Sequence, residues 1–318
     1  MSPPRVEWAR DGSALLVRIG NGVRIVDDTG AIKHIPVNRP ALDARWLGEL
    51  VLAFDAIGML RWHRIDGAVV DQHAITFSRA GRDSATAASI SGDGRRIAIV
   101  SASDVDGAEH LGVWSAEGEK LWAWKPRRLG MEIERGRMEI ERGRTSAALS
   151  DDGRLIAIGY ATHAERGWVV IQLATEVARA RDWRDGADEP GPMALAFDRR
   201  GNRFIHASPE AIDDVGPIRV GRGFDHARDH RGGARCVALD DRGVLAGYGY
   251  AVTPPGARGR IVVDYLSSAA TGGAAIEIVD TMSIDPSLAD VAAIAFAPDA
   301  RRIACLASDG SLEIVPVP

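Results

Sequence analysis

Apolar residues along this chain come in short runs, each broken by a tight polar turn and followed by a second run rich in β-branched or small residues. The unit is seen in VEWARDGSALLVRIG (6–20), SISGDGRRIAIVSAS (89–103), ALSDDGRLIAIGYAT (148–162), AFDRRGNRFIHAS (196–208), ALDDRGVLAGYGY (238–250) and AFAPDARRIACLAS (295–308). DARWLGELVLAFDAIG (43–58) keeps the pattern with Gly48 alone marking the turn. Asp-Gly between two such runs predicts a two-residue hairpin, because Gly accepts the positive φ of the turn. A second hairpin follows in VRIVDDTGAIKHIP (23–36), MLRWHRIDGAVVDQH (59–73), LGVWSAEGEKLWAWK (111–125) and WVVIQLATEVARARDW (168–183). No long helical pattern separates the units, which argues against βαβ architecture.

Four antiparallel strands recurring roughly every 45 residues predict an all-β fold, a seven-bladed β-propeller of four-stranded antiparallel blades. The expected blades are 5–36, 41–73, 84–125, 145–183, 192–222, 234–280 and 290–318 of one domain, with an inserted ribbon at 126–144. One such blade cannot bury both its faces, and radial packing buries them. Small residues in the second strand, as in IAIVSAS and IACLAS, suit crowded contacts between blades. In the fifth unit EAIDDV (210–215) and PIRVGR (217–222) are the expected outer strands, although their alternation is weak. The last unit runs out after SLEIVPVP, which predicts either a three-stranded final blade or a very short patch from residues 1–5. Pro316 and Pro318 are then expected on an edge, where a missing N–H is harmless.

The SxDGRxIA segments and the closing DGSLEIV resemble the inner strands of WD-repeat β-propellers, over essentially the whole chain. The Trp-Asp dipeptide itself is absent, and Val113-Trp114-Ser115 is its nearest echo. Of the family's Gly-His pair only His230 remains, thirteen residues before Gly243 and preceded by Asp229. The resemblance implies a binding platform, in the manner of a divergent bacterial member.

Loop length adds a direction. The turns inside each hairpin are short, SSAATGG (267–273) being the longest, whereas 74–86, 102–110, 125–145, 184–192, 222–234, 251–259 and 281–290 all fall between hairpins or between blades. Loops carry most binding chemistry, so that end is the expected recognition face for a protein partner. MEIERGR occurs twice in succession over 131–144. Met131 and Ile133, like Met138 and Ile140, alternate as on a β-ribbon, with Arg135 and Arg142 at its turns. The duplication is either slippage in a tolerant, solvated loop or a protruding edge offered to a partner. Trp122 and Trp124, same-faced on an outer strand, belong either to blade packing or to that surface.

Composition sets bounds. The chain has 318 residues, 46% hydrophobic and 26% charged, with a net charge of −5 that gives no electrostatic case for nucleic acid. No stretch has the apolar length of a membrane span, and no secretory leader is recognisable, so a cytoplasmic monomer is expected. Scarce lysine (Lys33, Lys120, Lys125) beside abundant arginine reads as bacterial coding bias. Cys236 and Cys305 sit in apolar runs and are expected as buried thiols, too few for a disulfide framework. Asp104, Asp106 and Glu109 form an incomplete calcium-loop pattern, interrupted by Ala108. His226 and His230 are four apart but flanked by glycines, a weak metal pattern. No nucleophile elbow, phosphate loop or zinc-protease motif is present, and no cofactor is expected. The reading that results is a non-catalytic interaction scaffold or sensor in a bacterial multi-protein system. The alternative is a metal-dependent, lactonase-like hydrolase with its site in the central channel.

Overall fold

The computed structural model describes residues 3–20, 22–37, 39–77, 84–102, 109–124, 145–161, 165–185, 194–199, 201, 203–207, 217–219, 226–228, 234–250, 258–267 and 278–318. Every regular element among them is a β-strand. The first blade is β1 (Arg5–Trp8), β2 (Ala14–Ile19), β3 (Gly22–Asp27) and β4 (Ile32–Ile35). The second is β5 (Ala41–Leu47), β6 (Leu50–Asp55), β7 (Met59–Arg64) and β8 (Val69–Ala74). The third is β9 (Ser84–Ile90), β10 (Arg96–Ala102), β11 (Glu109–Ser115) and β12 (Lys120–Ala123). The fourth is β13 (Ser146–Leu149), β14 (Leu155–Ala161), β15 (Glu165–Gln172) and β16 (Val177–Asp185). Two short ladders follow, β17 (Ala194–Phe197) with β18 (Phe204–Ala207), and β19 (Pro217–Arg219) with β20 (His226–Arg228). The fifth blade is β21 (Ala234–Leu239), β22 (Leu245–Tyr250), β23 (Arg260–Leu266) and β24 (Ile278–Ile284). The last is β25 (Ala293–Phe296), β26 (Arg302–Leu306) and β27 (Leu312–Pro316).

The chain is therefore an all-β, six-bladed β-propeller of mostly four-stranded antiparallel blades, with a three-stranded last blade. This corrects the expected seven blades. The segment expected as a further blade at 192–222 makes two separate two-stranded ladders, and no ladder joins β18 to β19 among the described residues. β17 and β18 pack on β21, as the inner half of a blade does. Residues 210–215 lie outside the described residues, and β19 pairs with His226–Arg228 instead. The three-stranded last blade agrees with the sequence reading, and Pro316 ends its outermost strand.

The Asp-Gly turns are wider than the predicted two residues. Ser91 N–H donates to Arg96 O at 2.9 Å and Gly94 N–H to Ser91 O at 2.9 Å, leaving 92–95 in the loop. Ser91 and Asp93 hold this shape: the Ser91 hydroxyl donates to Asp93 Oδ1 at 2.6 Å and accepts from Arg96 N–H at 3.0 Å. Ser150 and Asp152 repeat the arrangement. Side-chain bonding of this kind stabilises a turn that backbone pairing alone leaves open. In the last blade Ala300 takes the left-handed φ of 60° that glycine holds in its counterparts.

The chain packs as two compact units. One is Pro36–Pro192 with Met1–Ser2, and the other is Pro3–Ile35 with Met193–Pro318. In the first unit one core joins the second and third blades around Leu52, Phe54, Ile97 and Trp114, and another joins the third and fourth around Val100, Val113, Ile156 and Val169. Buried side chains also join the inner strands. Asp43 Oδ2 accepts Ile90 N–H at 2.7 Å, and Ser89 Oγ accepts Leu149 N–H at 3.0 Å.

In the second unit the last blade has both faces covered. Ile303, Cys305 and Val315 pack on the fifth blade with Ile261 and Val263. Ala293, Ala304 and Leu306 pack on the first blade with Trp8, Leu15 and Val17. The start and end of the chain thus meet face to face: Trp8 Nε1 donates to Ala295 O at 3.1 Å, and the Arg302 guanidinium lies over the Trp8 ring at 4.8 Å. At the fifth-to-last contact the sheets approach so closely that a Cβ on Gly249 would lie 2.4 Å from Cys236 Sγ and 2.6 Å from Val291 Cγ1.

Two substitutions test this packing by urea denaturation. Gly249→Ala is expected to cost about 1–3 kcal/mol, the range for overpacking a filled core. Trp8→Phe, which removes the indole N–H bond to Ala295 and also shrinks a buried ring under Arg302, is expected to cost more than the about 1 kcal/mol of the hydrogen bond alone.

Candidate interaction surfaces

Near several of the turns between a sheet's first two strands, charged side chains tie one sheet to another. In the first unit the Arg45 guanidinium on β5 pairs with Asp151 of the fourth blade at 2.5 Å. A Cβ on Gly92 of the third blade would lie 2.3 Å from Asp151 Cγ, so the pair runs directly over that turn. Asp93 N–H donates to Asp151 O at 2.9 Å. Arg96 Nη1 donates to Gly153 O at 2.6 Å, and Gly153 has φ 64° with no room for a Cβ beside Arg96 Cδ at 2.8 Å. In the second unit Arg203 Nη1 donates to Gly243 O, and Arg302 covers Trp8. Arg96, Arg203 and Arg302 occupy one frame position in SGDGRR, DRRGNR and APDARR. The sequence reading passed over them; their signal was arginine recurring at the same offset from the turn. They are clasps between blades, and their charges are already engaged there.

The expected partner-binding residues separate in the structure. Trp122 on β12 is buried in the core between the third and fourth blades, and Trp124 packs against the same core. The two rings meet edge-on at 6.2 Å. Met131, Ile133, Arg135, Met138, Ile140 and Arg142 lie outside the described residues, as do Asp104, Asp106 and His230. The backbone of Glu109 begins β11, and that of His226 begins β20 opposite Arg219. Among the described residues, no group of three or more His, Cys, Asp or Glu side chains is placed to hold a metal ion. Among the described residues no helix is long and apolar enough to cross a membrane.

Exposed aliphatic side chains concentrate on the outermost strands, a feature the loop-length argument did not anticipate. Ile32 on β4, Val69 and Val70 on β8, Leu121 on β12, Val177 on β16, Val279 on β24 and Ile314 on β27 are all exposed. A single exposed aliphatic residue is ordinary, but one or more on every blade's rim is a pattern. On the second blade Val69 and Val70 border a concavity of about 460 Å³ completed by Pro36, Arg61, Asp71 and Gln72. Arg61 is held there by Asp55 at 2.6 Å.

Burial sets the titration of both cysteines and of His63. Burial pushes the Cys236 and Cys305 thiols up to about 12, so neither is a thiolate near neutral pH. His63 is fully buried, with Nδ1 3.3 Å from Gly67 O, and burial lowers its pKa below the ordinary 6.5. Two outcomes follow. A thiol reagent at pH 8 is expected to titrate neither cysteine in the folded chain and both after denaturation. His63 binds its proton more readily in the unfolded chain, so its contribution to stability is present above pH 6.5 and falls as pH drops below it. Urea midpoints measured at descending pH should show that decline, and His63→Gln should flatten it.

No known protein family matches the chain, and no curated protein matches it in sequence. Solved structures do match in three dimensions. A chain of hydrazine synthase from Kuenenia stuttgartiensis superposes with a TM-score of 0.67 at 13% identity, covering 99% of this chain and 96% of that one. A chain of a mitotic checkpoint complex superposes with a TM-score of 0.65 at 12% identity, covering 100% of this chain and 87% of that one. At these identities the likeness establishes the β-propeller fold, which serves many unrelated functions.

Proposed function

We propose that this chain is a non-catalytic interaction module, a divergent relative of WD-repeat propellers that works as one subunit of a cytoplasmic multi-protein assembly. The observation that carries the reading is the row of exposed aliphatic side chains on the outer strands, present on each of the six blades. Such groups are stabilised by a partner surface and gain nothing from solvent. The arginines at the turns support the same view from the other side, because they are engaged in clasps between blades and are not arranged around a substrate. A propeller chain within a mitotic checkpoint complex is one instance of the fold in an assembly.

The end of the sheets that carries the longer connections remains the proposed recognition face, and the duplicated MEIERGR segment is part of that proposal. The links between blades are the longest of these, as at 75–83 and 124–145, with 103–108 and 251–259 inside blades. Connections 20–21, 56–58 and 162–164 at the same end of the first, second and fourth blades are short.

Native mass decides between a subunit and a solitary protein. Endogenous protein sized in a gentle extract is expected well above its own 34.0 kDa, shifting to that mass in high salt with detergent. Migration at 34.0 kDa under every extraction condition counts against the reading.

A further inference from the structure

The last blade stops at three strands, whereas the five other blades each carry a fourth. The open edge is that of β27. Ala307 N–H donates to Ser311 O at 2.9 Å, and Val317 N–H donates to Arg301 O at 2.8 Å. Antiparallel bonding alternates between these ends, so Glu313 and Val315 pair with Cys305 and Ile303. Leu312, Ile314 and Pro316 therefore turn their backbone groups outward. Among the described residues no strand receives them. Proline has no N–H to offer, so the usable edge is the stretch from Leu312 to Ile314, with a carbonyl alone at Pro316.

The flanking blades present apolar groups to that vacant position. On the fifth blade Ile261, Val263 and Tyr265 pair with Ile284, Met282 and Asp280, which places the side chains of all six on the face toward the last blade. Met282 and Ile284, on the outer strand, remain only partly buried. On the first blade Leu15 pairs with Val26 and Val26 with Ile32, so Ile32 shares the face that packs on the last blade. Ile32 is 51% exposed, and Ile314 on the open edge is 45% exposed. The slot thus has a hydrogen-bonding floor between two walls, apolar at Met282, Ile284 and Ile32 and polar at Asp280 and at the Glu313 carboxylate, which accepts from Ser287 N–H at 2.7 Å.

We propose that the slot beside β27 accepts an extended segment of a partner protein, which adds the fourth strand of the last blade. The segment alternates, one row of apolar side chains meeting Met282 and Ile284 and the other meeting Ile32 and Ile314. Main-chain bonds to Leu312 and Ile314 provide affinity and the two walls provide selectivity. Two other occupants fit less well. Pro3 and Pro4 lead directly into β1, which packs beside β25, and the slot lies three strand spacings farther out, about 14 Å. Neither proline has an N–H to donate. A second copy paired about Ile314 would set Pro316 of each chain against Leu312 of the other and lose a bond at each end. The inference rests on the proposed role as an assembly subunit and assigns one contact within it.

The test uses the full chain. Amide exchange should be fast at Leu312 and Ile314 and slow at Glu313 and Val315. A displayed library of random linear peptides of about seven residues, panned on the folded chain, should then yield alternating apolar sequences that slow exchange at Leu312 and Ile314. Ile314→Pro removes an N–H that makes no bond within the sheet, so its unfolding midpoint should match the parent while peptide affinity falls by about tenfold or more. Ile314→Thr, which keeps the N–H, should retain most of the binding. Equal peptide binding by the parent and Ile314→Pro overturns the inference. So does protection of Leu312 and Ile314 in the free chain, or a concentration-dependent dimer abolished by Ile314→Pro. Equal peptide binding or a protected edge leaves the native mass unchanged, and a dimer of the purified chain is recognised by its concentration dependence, so the extract mass tests the subunit role separately.

Discussion

Each blade here is apolar on two faces, and a sheet four strands wide has no way to bury either by itself. That constraint governs the structure. Within each compact unit the cores lie between neighbouring sheets: Phe54 and Ile97 belong to one such layer, Val100 and Val169 to another, Val263 and Cys305 to a third. Stability is consequently an interface property, as in other repeat proteins. Small residues follow from the same cause, because Gly249 sits where a single added carbon would meet Cys236 and Val291.

Polar chemistry is used in the service of this packing. Asp43, Ser89 and Trp8 place one hydrogen-bonding group each across a gap between inner strands, satisfying backbone atoms that would otherwise be buried unpaired. Arg96 and Arg203 do so at the turns, each reaching a carbonyl of the neighbouring sheet, while Arg302 lies over the Trp8 ring. What is left for recognition is the outer strand of each blade and the connections between blades. The last blade, with one strand fewer, leaves both a backbone edge and the walls around it open.

Strand positions were largely legible in the sequence because alternation and Asp-Gly turns are local signals, and a strand reports its buried face every second residue. Ser91 and Asp93 widened the turn beyond the two residues that Asp-Gly implied, since side-chain hydrogen bonds compete with backbone pairing there. Trp122 read equally well as core or as surface, because a same-faced pair of aromatics looks alike in either role. Its burial beneath the fourth blade became visible only with that blade in place. The aliphatic rim was missed because each exposed residue is unremarkable alone, and the recurrence on every outer strand needs the blades to be drawn.

The sequence by itself determined an all-β repeat architecture, the pairing of consecutive strands into hairpins and two buried thiols. These depend on local periodicity. The tertiary structure alone decided that six blades form, because β17 with β18 and β19 with β20 make separate two-stranded ladders. It also decided which surfaces meet. The clasp of Arg302 on Trp8 joins residues nearly a chain length apart, and the slot beside β27 exists only because blades from both ends of the chain stand on either side of it. Such contacts leave no periodic trace in a sequence, since the residues that make them share a neighbourhood in space and none along the chain.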